Sequence, residues 1–322
     1  MDPADFSADL LQKPQALADL AAAFKPGGEV AEALAAVPRG AQVRRIVFLG
    51  MGSSRSAAGV AAGRLRAAGF DAVSEYASAV RGTPPGPETL VVAISATGGS
   101  VETQRAVERH RGRSPLVLLT NRPGSPLAAG ALSVPMVAGV EQGGVACRTY
   151  QHTGLILRAL EEHLLQADVA AGAPPFEAVR ALTARVAEAS ADLLDRRHEW
   201  FTPVERLSSA EQAALMFREG PRLVADAGET GDWAHIDVYL TKTCDYRALL
   251  FPGSTWDDQA WQWLIERDAT VVSVGADLPP AARGARTLGL RYLHDHDDDV
   301  RLSTEVLVAE LLAAHWWART GA

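Results

Sequence analysis

Lysine is nearly missing from this 322-residue chain: Lys13, Lys25 and Lys242 are the only three, and arginine carries the rest of the positive charge. With 31 basic against 39 acidic residues the net charge is −8. That argues against a nucleic-acid partner, which needs a basic face to neutralise phosphates. Only two cysteines occur, Cys147 and Cys244. They lie far apart, nothing requires a disulfide, and a reducing cytoplasmic setting is expected. No apolar run approaches the roughly 20 residues that span a bilayer, so no membrane partner is expected. The opening MDPADFSADLLQKPQ lacks a basic segment followed by an apolar one, so no secretory leader is expected. Tryptophan is absent before Trp200, and all seven fall from that point onward. This fits two lobes of different character.

What is present suits a folded chain. Hydrophobic residues make up 48% and mean hydropathy is near zero, which excludes a disordered polymer. At roughly 150 residues per domain, two domains are expected. Short apolar runs alternate with helical patterns: strands at Val43–Gly50, Asp71–Ala77, Leu90–Ile94, Leu116–Thr120 and Leu132–Met136, with helices at Ser53–Ala68 and Ser100–His110. Leu90–Ile94 is apolar on both faces, as in a central parallel strand. The alternation predicts an α/β, doubly wound parallel sheet with helices on both faces.

A long helix over Val145–Gln166 is predicted to end before Ala171–Pro175, because Pro-Pro cannot continue it. That segment divides the chain into lobes 1–172 and 173–322. The second lobe is predicted to hold helices near Phe176–Trp200 and Pro203–Phe217. Strands follow at Arg222–Ala225, Tyr246–Phe251, Thr270–Val274 and Thr287–Tyr292, and Leu302–Arg319 closes the chain as a helix. Leu223–Gly231 echoes Ile46–Ser54, so the second lobe reads as a shortened copy of the first.

Two loops carry the chemistry. Ser95-Ala96-Thr97-Gly98-Gly99-Ser100 places three hydroxyls on a strand-to-helix turn. Glycines let the backbone turn, and the N–H groups of the next helix point at it, which makes an anion cradle. The loop has neither a Walker lysine nor GxGxxG spacing, so a monophosphate fits better than a nucleotide. The plain alternative is a turn that only caps a helix. Gly50-Met51-Gly52-Ser53-Ser54-Arg55 also leaves a strand and enters a helix. In a doubly wound sheet both loops lie at the carboxyl ends of strands, where ligands bind.

Together, GxGSS at Gly50–Ser54 and SxTGxS at Ser95–Ser100 resemble the sugar isomerase (SIS) domain. Glu141 followed by Val145-Ala146-Cys147-Arg148 is similar to that family's pattern opening its last long helix. The resemblance spans roughly Val43–Leu165 and extends weakly over Arg222–Trp317. It implies two SIS-like lobes, the second shortened and degenerate, a phosphosugar ligand, and a homodimer. It also implies that Gly52, Ser53, Ser54, Ser95, Thr97, Ser100 and Arg148 bind substrate. Glu141 is the candidate base for proton transfer at C1/C2, with His235 or Lys242 assisting ring opening. The implied activity is aldose–ketose or amino sugar isomerisation, or deglycation. It needs no cofactor and no metal, since a proton beside a carbonyl is acidic enough for side-chain bases. The alternative is a phosphosugar-binding or regulatory protein without catalysis.

The sequence departs from the family at several points. Arg148 stands where relatives usually carry lysine, and a guanidinium does not replace an ammonium freely. The amidotransferase branch has a glutamate on the first helix of its second lobe. Here that position falls near Thr243, and no glutamate lies in the predicted Asp232–Thr243 helix. His235, Tyr239 and Lys242 share a face of that helix at i, i+4 and i, i+7, either as an acid–base set or as a packing face. His294-Asp295-His296-Asp297-Asp298-Asp299 reads as a solvated acidic turn rather than a metal site. Trp256, Trp261 and Trp263 are expected in packing, with sugar stacking as the alternative.

Overall fold

The computed structural model describes residues 2–165, 175–195, 207–243, 245–283 and 286–320. In chain order the elements are α1 (Pro3–Leu11), α2 (Lys13–Ala23), α3 (Glu29–Ala35), β1 (Arg45–Gly50), α4 (Ser53–Ala67), β2 (Asp71–Tyr76), β3 (Thr89–Ile94), α5 (Val101–Glu108), β4 (Leu116–Thr120), β5 (Leu132–Pro135) and α6 (Arg148–Leu165). Then follow α7 (Glu177–Asp195), α8 (Leu207–Glu219), α9 (Thr230–Trp233), β6 (Arg247–Leu250), α10 (Asp257–Glu266), β7 (Thr270–Val274), β8 (Thr287–Leu290), α11 (Asp298–Thr304) and α12 (Val306–Thr320). The chain forms two compact units. One comprises Gln15–Val140 and Ala146–Ala184, and the other Met1–Pro14, Glu141–Val145 and Arg185–Ala322. The amino-terminal helix and the 141–145 segment thus group with the C-terminal unit, whereas the sequence places a single cut at residue 172. The expected linker Ala171–Pro175 lies outside the described residues except for Pro175.

The first unit holds a parallel five-stranded sheet in the order β2-β1-β3-β4-β5, with every paired register parallel. Its three central strands are apolar on both faces, and β3 and β4 are buried throughout. One face, Val47, Leu49, Val91 and Ala93, packs with Ala106 and Val107 of α5. Right-handed crossovers put α4 and α5 on opposite faces, because one connection moves left in the sheet and the other right. Helix α4 buries Ala57, Ala58, Ala61 and Ala62, small residues that bring it close to α6 and β2.

The second unit has three parallel strands, β6-β7-β8. Trp261 and Leu264 of α10 cover Ala248, Leu250 and Val271. The expected strand at Arg222–Ala225 does not form. Arg222 sits at φ 57°, no strand among the described residues pairs with the segment, and Val224 is 96% exposed. The expected helix over Val145–Gln166 begins later, at Arg148. On the other side of this unit, α12 packs on both α1 and α8.

Two of the buried histidines of the first unit have lowered pKa values. His163 donates from Nε2 to the Val37 carbonyl at 2.8 Å, and His110 faces Ser114 Oγ at 3.3 Å. Burial, above all, holds both imidazoles below the ordinary histidine range. The unfolded chain therefore takes up these protons first, near pH 6.5. Their stabilising contribution is present above that value and is lost as pH falls through the lower folded values. Urea midpoints should fall between pH 7.5 and 5.5, and His110→Gln with His163→Gln should flatten the fall. An equal slope in the double variant would assign it to other groups.

Candidate functional site

In the order β2-β1-β3-β4-β5 the chain leaves β1 in one direction and β3 in the other. The switch point therefore lies between β1 and β3, where doubly wound sheets bind ligands. Both hydroxyl loops lie there. Leu49 of β1 pairs with Ala93 of β3, so Gly50–Arg55 and Ser95–Ser100 leave neighbouring strand ends. Gly52, at φ 49°, turns the first loop into α4, whose first two residues are Ser53 and Ser54. The second loop enters α5 through Ser100, its N-cap. The sequence-predicted residues Gly52, Ser53, Ser54, Ser95, Thr97 and Ser100 are thus gathered at one sheet edge, flanked by the positive ends of two helices.

The second loop is held tightly. Ser95 N–H donates to Leu119 O at 3.0 Å, Gly98 N–H to Ser95 O at 3.1 Å, and Asn121 N–H to Ala96 O at 3.0 Å. Thr97 Oγ1 accepts from Gly99 N–H at 3.2 Å. Gly98 adopts φ +62°, and a Cβ there would lie 2.2 Å from Ser125 Oγ and 2.3 Å from Ser125 Cβ. Ser125, on the loop after β4, thus packs directly beneath the turn. Sequence reasoning missed it, since its role depends on a strand pairing rather than on local spacing. Gly98→Ala should cost about 1–3 kcal/mol through the left-handed backbone and this clash. Adding Ser125→Gly should recover part of it in urea unfolding. An unchanged midpoint for Gly98→Ala would contradict this packing.

Ser100 is already committed. Its Oγ accepts from Thr103 N–H at 3.2 Å and from Thr103 Oγ1 at 3.0 Å, and it donates to Glu102 Oε2 at 2.9 Å. Glu102 was not foreseen. Its own backbone N–H, and then Ser100, hold its carboxyl below the usual range. The charge of the first loop is Arg55, whose guanidinium stacks 4.4 Å above the Tyr76 ring. Tyr76 ends β2 and pairs with Gly50, so this stack fixes a cation at the loop's edge. Arg148 is buried at the start of α6, and its Nη2 donates to Val140 O at 2.7 Å.

Glu141 belongs to the other compact unit. Asp9 Oδ2 of α1 accepts from Gly143 N–H at 2.7 Å, which fastens the segment beside Glu141. Lys13 and Glu310 form a fully buried ion pair there. Burial pushes the Glu310 carboxyl up, Lys13 opposes the rise, and Glu141 adds to it. Sequence reasoning missed this pair.

The His235–Tyr239–Lys242 set requires correction. Helix α9 stops at Trp233, and a separate 3-10 segment covers Asp237–Lys242. Ile236, Val238 and Thr241 disfavour a continuous α-helix. Three residues per turn align Tyr239 with Lys242, and the Lys242 ammonium lies 5.8 Å from the Tyr239 ring centroid. His235 precedes the segment and is exposed, so the three do not form the predicted helical face. His294 instead pairs with Glu188 at 2.7 Å, and no metal-ligating group of three occurs among the described residues. Trp261 is core, Trp263 carries a stacked Arg267 at 4.5 Å, and Trp256 is 55% exposed. Cys147 is buried, and Cys244 lies outside the described residues.

Residues 41–162 match the SIS domain. The fold over nearly the whole chain resembles solved structures of low sequence identity. Tagatose-6-phosphate ketose/aldose isomerase from Escherichia coli superposes with a TM-score of 0.76 at 15% identity, over 98% of this chain and 93% of that one. The C-terminal domain of glucosamine-fructose-6-phosphate aminotransferase from Francisella tularensis gives 0.71 at 19%, over 98% and 96%. Glucosamine-6-phosphate deaminase from Thermotoga maritima gives 0.67 at 16%, over 97% and 95%. No curated protein sequence matches significantly. The SIS match, residues 41–162, includes both hydroxyl loops, and no helix among the described residues is long and apolar enough to cross a membrane.

Proposed function

We propose that the SIS-domain unit binds a phosphorylated sugar and that the chain catalyses aldose–ketose or amino sugar isomerisation, or deglycation, by proton transfer at C1/C2. The observation that carries this reading is the convergence of two hydroxyl loops, each opening a helix, on neighbouring strand ends. Ser53, Ser54, Ser95 and Thr97 offer hydroxyls, the helix starts offer N–H groups, and Arg55 offers charge. Ser100 serves mainly to hold the α5 start, since its proton goes to Glu102. The enzymes named above act on sugar phosphates by their names, which agrees in kind. Glu141 is the proposed base, and Lys242 or His235 the proposed ring-opening acid. The second unit is read as a degenerate SIS-like lobe, and the working form as a cytoplasmic homodimer.

A non-catalytic, phosphosugar-binding role is the second reading. It is favoured by the broken Thr230–Lys242 segment, which carries no glutamate and does not align His235 with Lys242. Solvent deuterium exchange at C1 or C2, across a panel of hexose and amino sugar phosphates, separates the two. Exchange supports the enzyme, whereas saturable binding without exchange supports the binding protein.

A further inference from the structure

We propose that Glu102 is an internal competitor of the phosphate: its carboxylate occupies the α5 half of the cradle until a sugar phosphate displaces it. The proposal rests on the phosphate reading of the two loops and adds the residue that sets their affinity. Helix α5 opens at Val101 with Ser100 as its N-cap. The donors on that side are the Ser100 hydroxyl and the first N–H groups of the helix, which have no partner within the helix.

Those donors already hold an anion. The Glu102 carboxylate folds back onto its own backbone N–H and takes the Ser100 proton at 2.9 Å. Ser100 Oγ has no capacity left, because it also accepts from Thr103 N–H and from Thr103 Oγ1, and a hydroxyl has one proton to give. A phosphate oxygen can therefore take that proton only by replacing Glu102 Oε2. The exchange leaves the frame intact. Thr103 is 1% exposed and holds Ser100 in place whichever acceptor takes the proton. Glu102 itself is exposed, so its side chain can leave without disturbing the core. Arg105, the cation that already attracts it, lies one turn on and offers the displaced carboxylate a partner.

The same position gives two effects of opposite sign. A carboxylate in the first turn of a helix is stabilising, so the empty protein gains from Glu102 what the liganded protein must give up. Glu102 also repels the incoming group, and a phosphomonoester, at about −1.5 to −2 charges near pH 7, feels this more than a singly charged sulfate ester. A residue that only caps the helix would change stability and leave affinity alone.

The test is isothermal titration of the full chain near neutral pH with D-glucose 6-phosphate and D-glucose 6-sulfate, with urea unfolding alongside. Glu102→Ala and Glu102→Gln should each tighten phosphate binding about fivefold or more, tighten sulfate binding by less, and lower the urea midpoint slightly. Glu108→Gln, at the far end of the same helix, removes an equal charge and should leave affinity unchanged. Ser100→Ala should cost little affinity in the wild type, where the proton goes to Glu102, and clearly more in the Glu102→Ala background, where it goes to phosphate. Unchanged phosphate affinity in both folded Glu102 variants, or a gain equalled by Glu108→Gln, would overturn the proposal. An equal cost of Ser100→Ala in both backgrounds would do so as well. Ser95→Ala/Thr97→Ala judges the underlying reading: undiminished phosphate affinity in that pair refutes the phosphate cradle and this proposal with it. A loss in that pair without a gain at Glu102 refutes the proposal alone.

Discussion

Replacing Ser95 and Thr97 together by alanine should weaken sugar-phosphate binding at least tenfold while leaving the protein folded. Each hydroxyl that meets a phosphate oxygen makes a charge-assisted hydrogen bond worth about 1.5–3 kcal/mol, and about 1.4 kcal/mol is a factor of ten. The fold tolerates the change because the loop is fixed by its backbone. Ser95 is tied through its N–H to Leu119, and Ala96 through its carbonyl to Asn121. Thr97 loses one local bond, from Gly99 N–H, on an exposed turn. Calorimetric titration with a hexose 6-phosphate reads the effect, with urea unfolding as the control. Undiminished affinity in a folded double variant would remove the phosphate from these loops.

The second large effect is on chemistry. Glu141→Gln should slow C1/C2 proton exchange by about 10²–10⁴, the usual contribution of a positioned general base, and keep substrate affinity within a few-fold. Glutamine preserves shape and hydrogen bonding but cannot take the proton. The segment itself should stay in place, since Gly143 is anchored by Asp9. Lys242→Met should have the smaller effect if Lys242 only assists ring opening, because open-chain sugar also forms spontaneously. Proton NMR of the sugar in deuterated solvent follows both variants. Exchange that persists undiminished in Glu141→Gln excludes it as the base and moves attention to His235 and Lys242.

Much of the first unit was legible in the sequence because its signals are local. Continuous apolar runs such as Leu90–Ile94 and Leu116–Thr120 mark central parallel strands, and small helix residues such as Ala57 and Ala61 mark close packing. Gly52 and Gly98 mark turns that open helices. What stayed hidden depends on distant partners. Lys13 reads as a surface lysine until it meets Glu310, 297 residues away. Ser125 gains meaning only once β3 and β4 bring it beneath Gly98. Arg222–Ala225 resembles a strand by pattern, but a strand needs a neighbour to satisfy its backbone, and none among the described residues pairs with it. The Asp232–Thr243 segment reads as one helix by spacing, yet its β-branched residues and the 3-10 turns split it.

The central claim is that the phosphate of a sugar phosphate rests on the loops at the β1/β3 switch point. A crystal structure of the protein with a hexose 6-phosphate tests it most directly. The account predicts phosphate density within hydrogen-bond distance of Ser95, Thr97 and the Ser53–Ser54 helix start, with the sugar extending away from the sheet. A phosphate bound elsewhere, with these hydroxyls uncontacted despite saturable binding in solution, would contradict it.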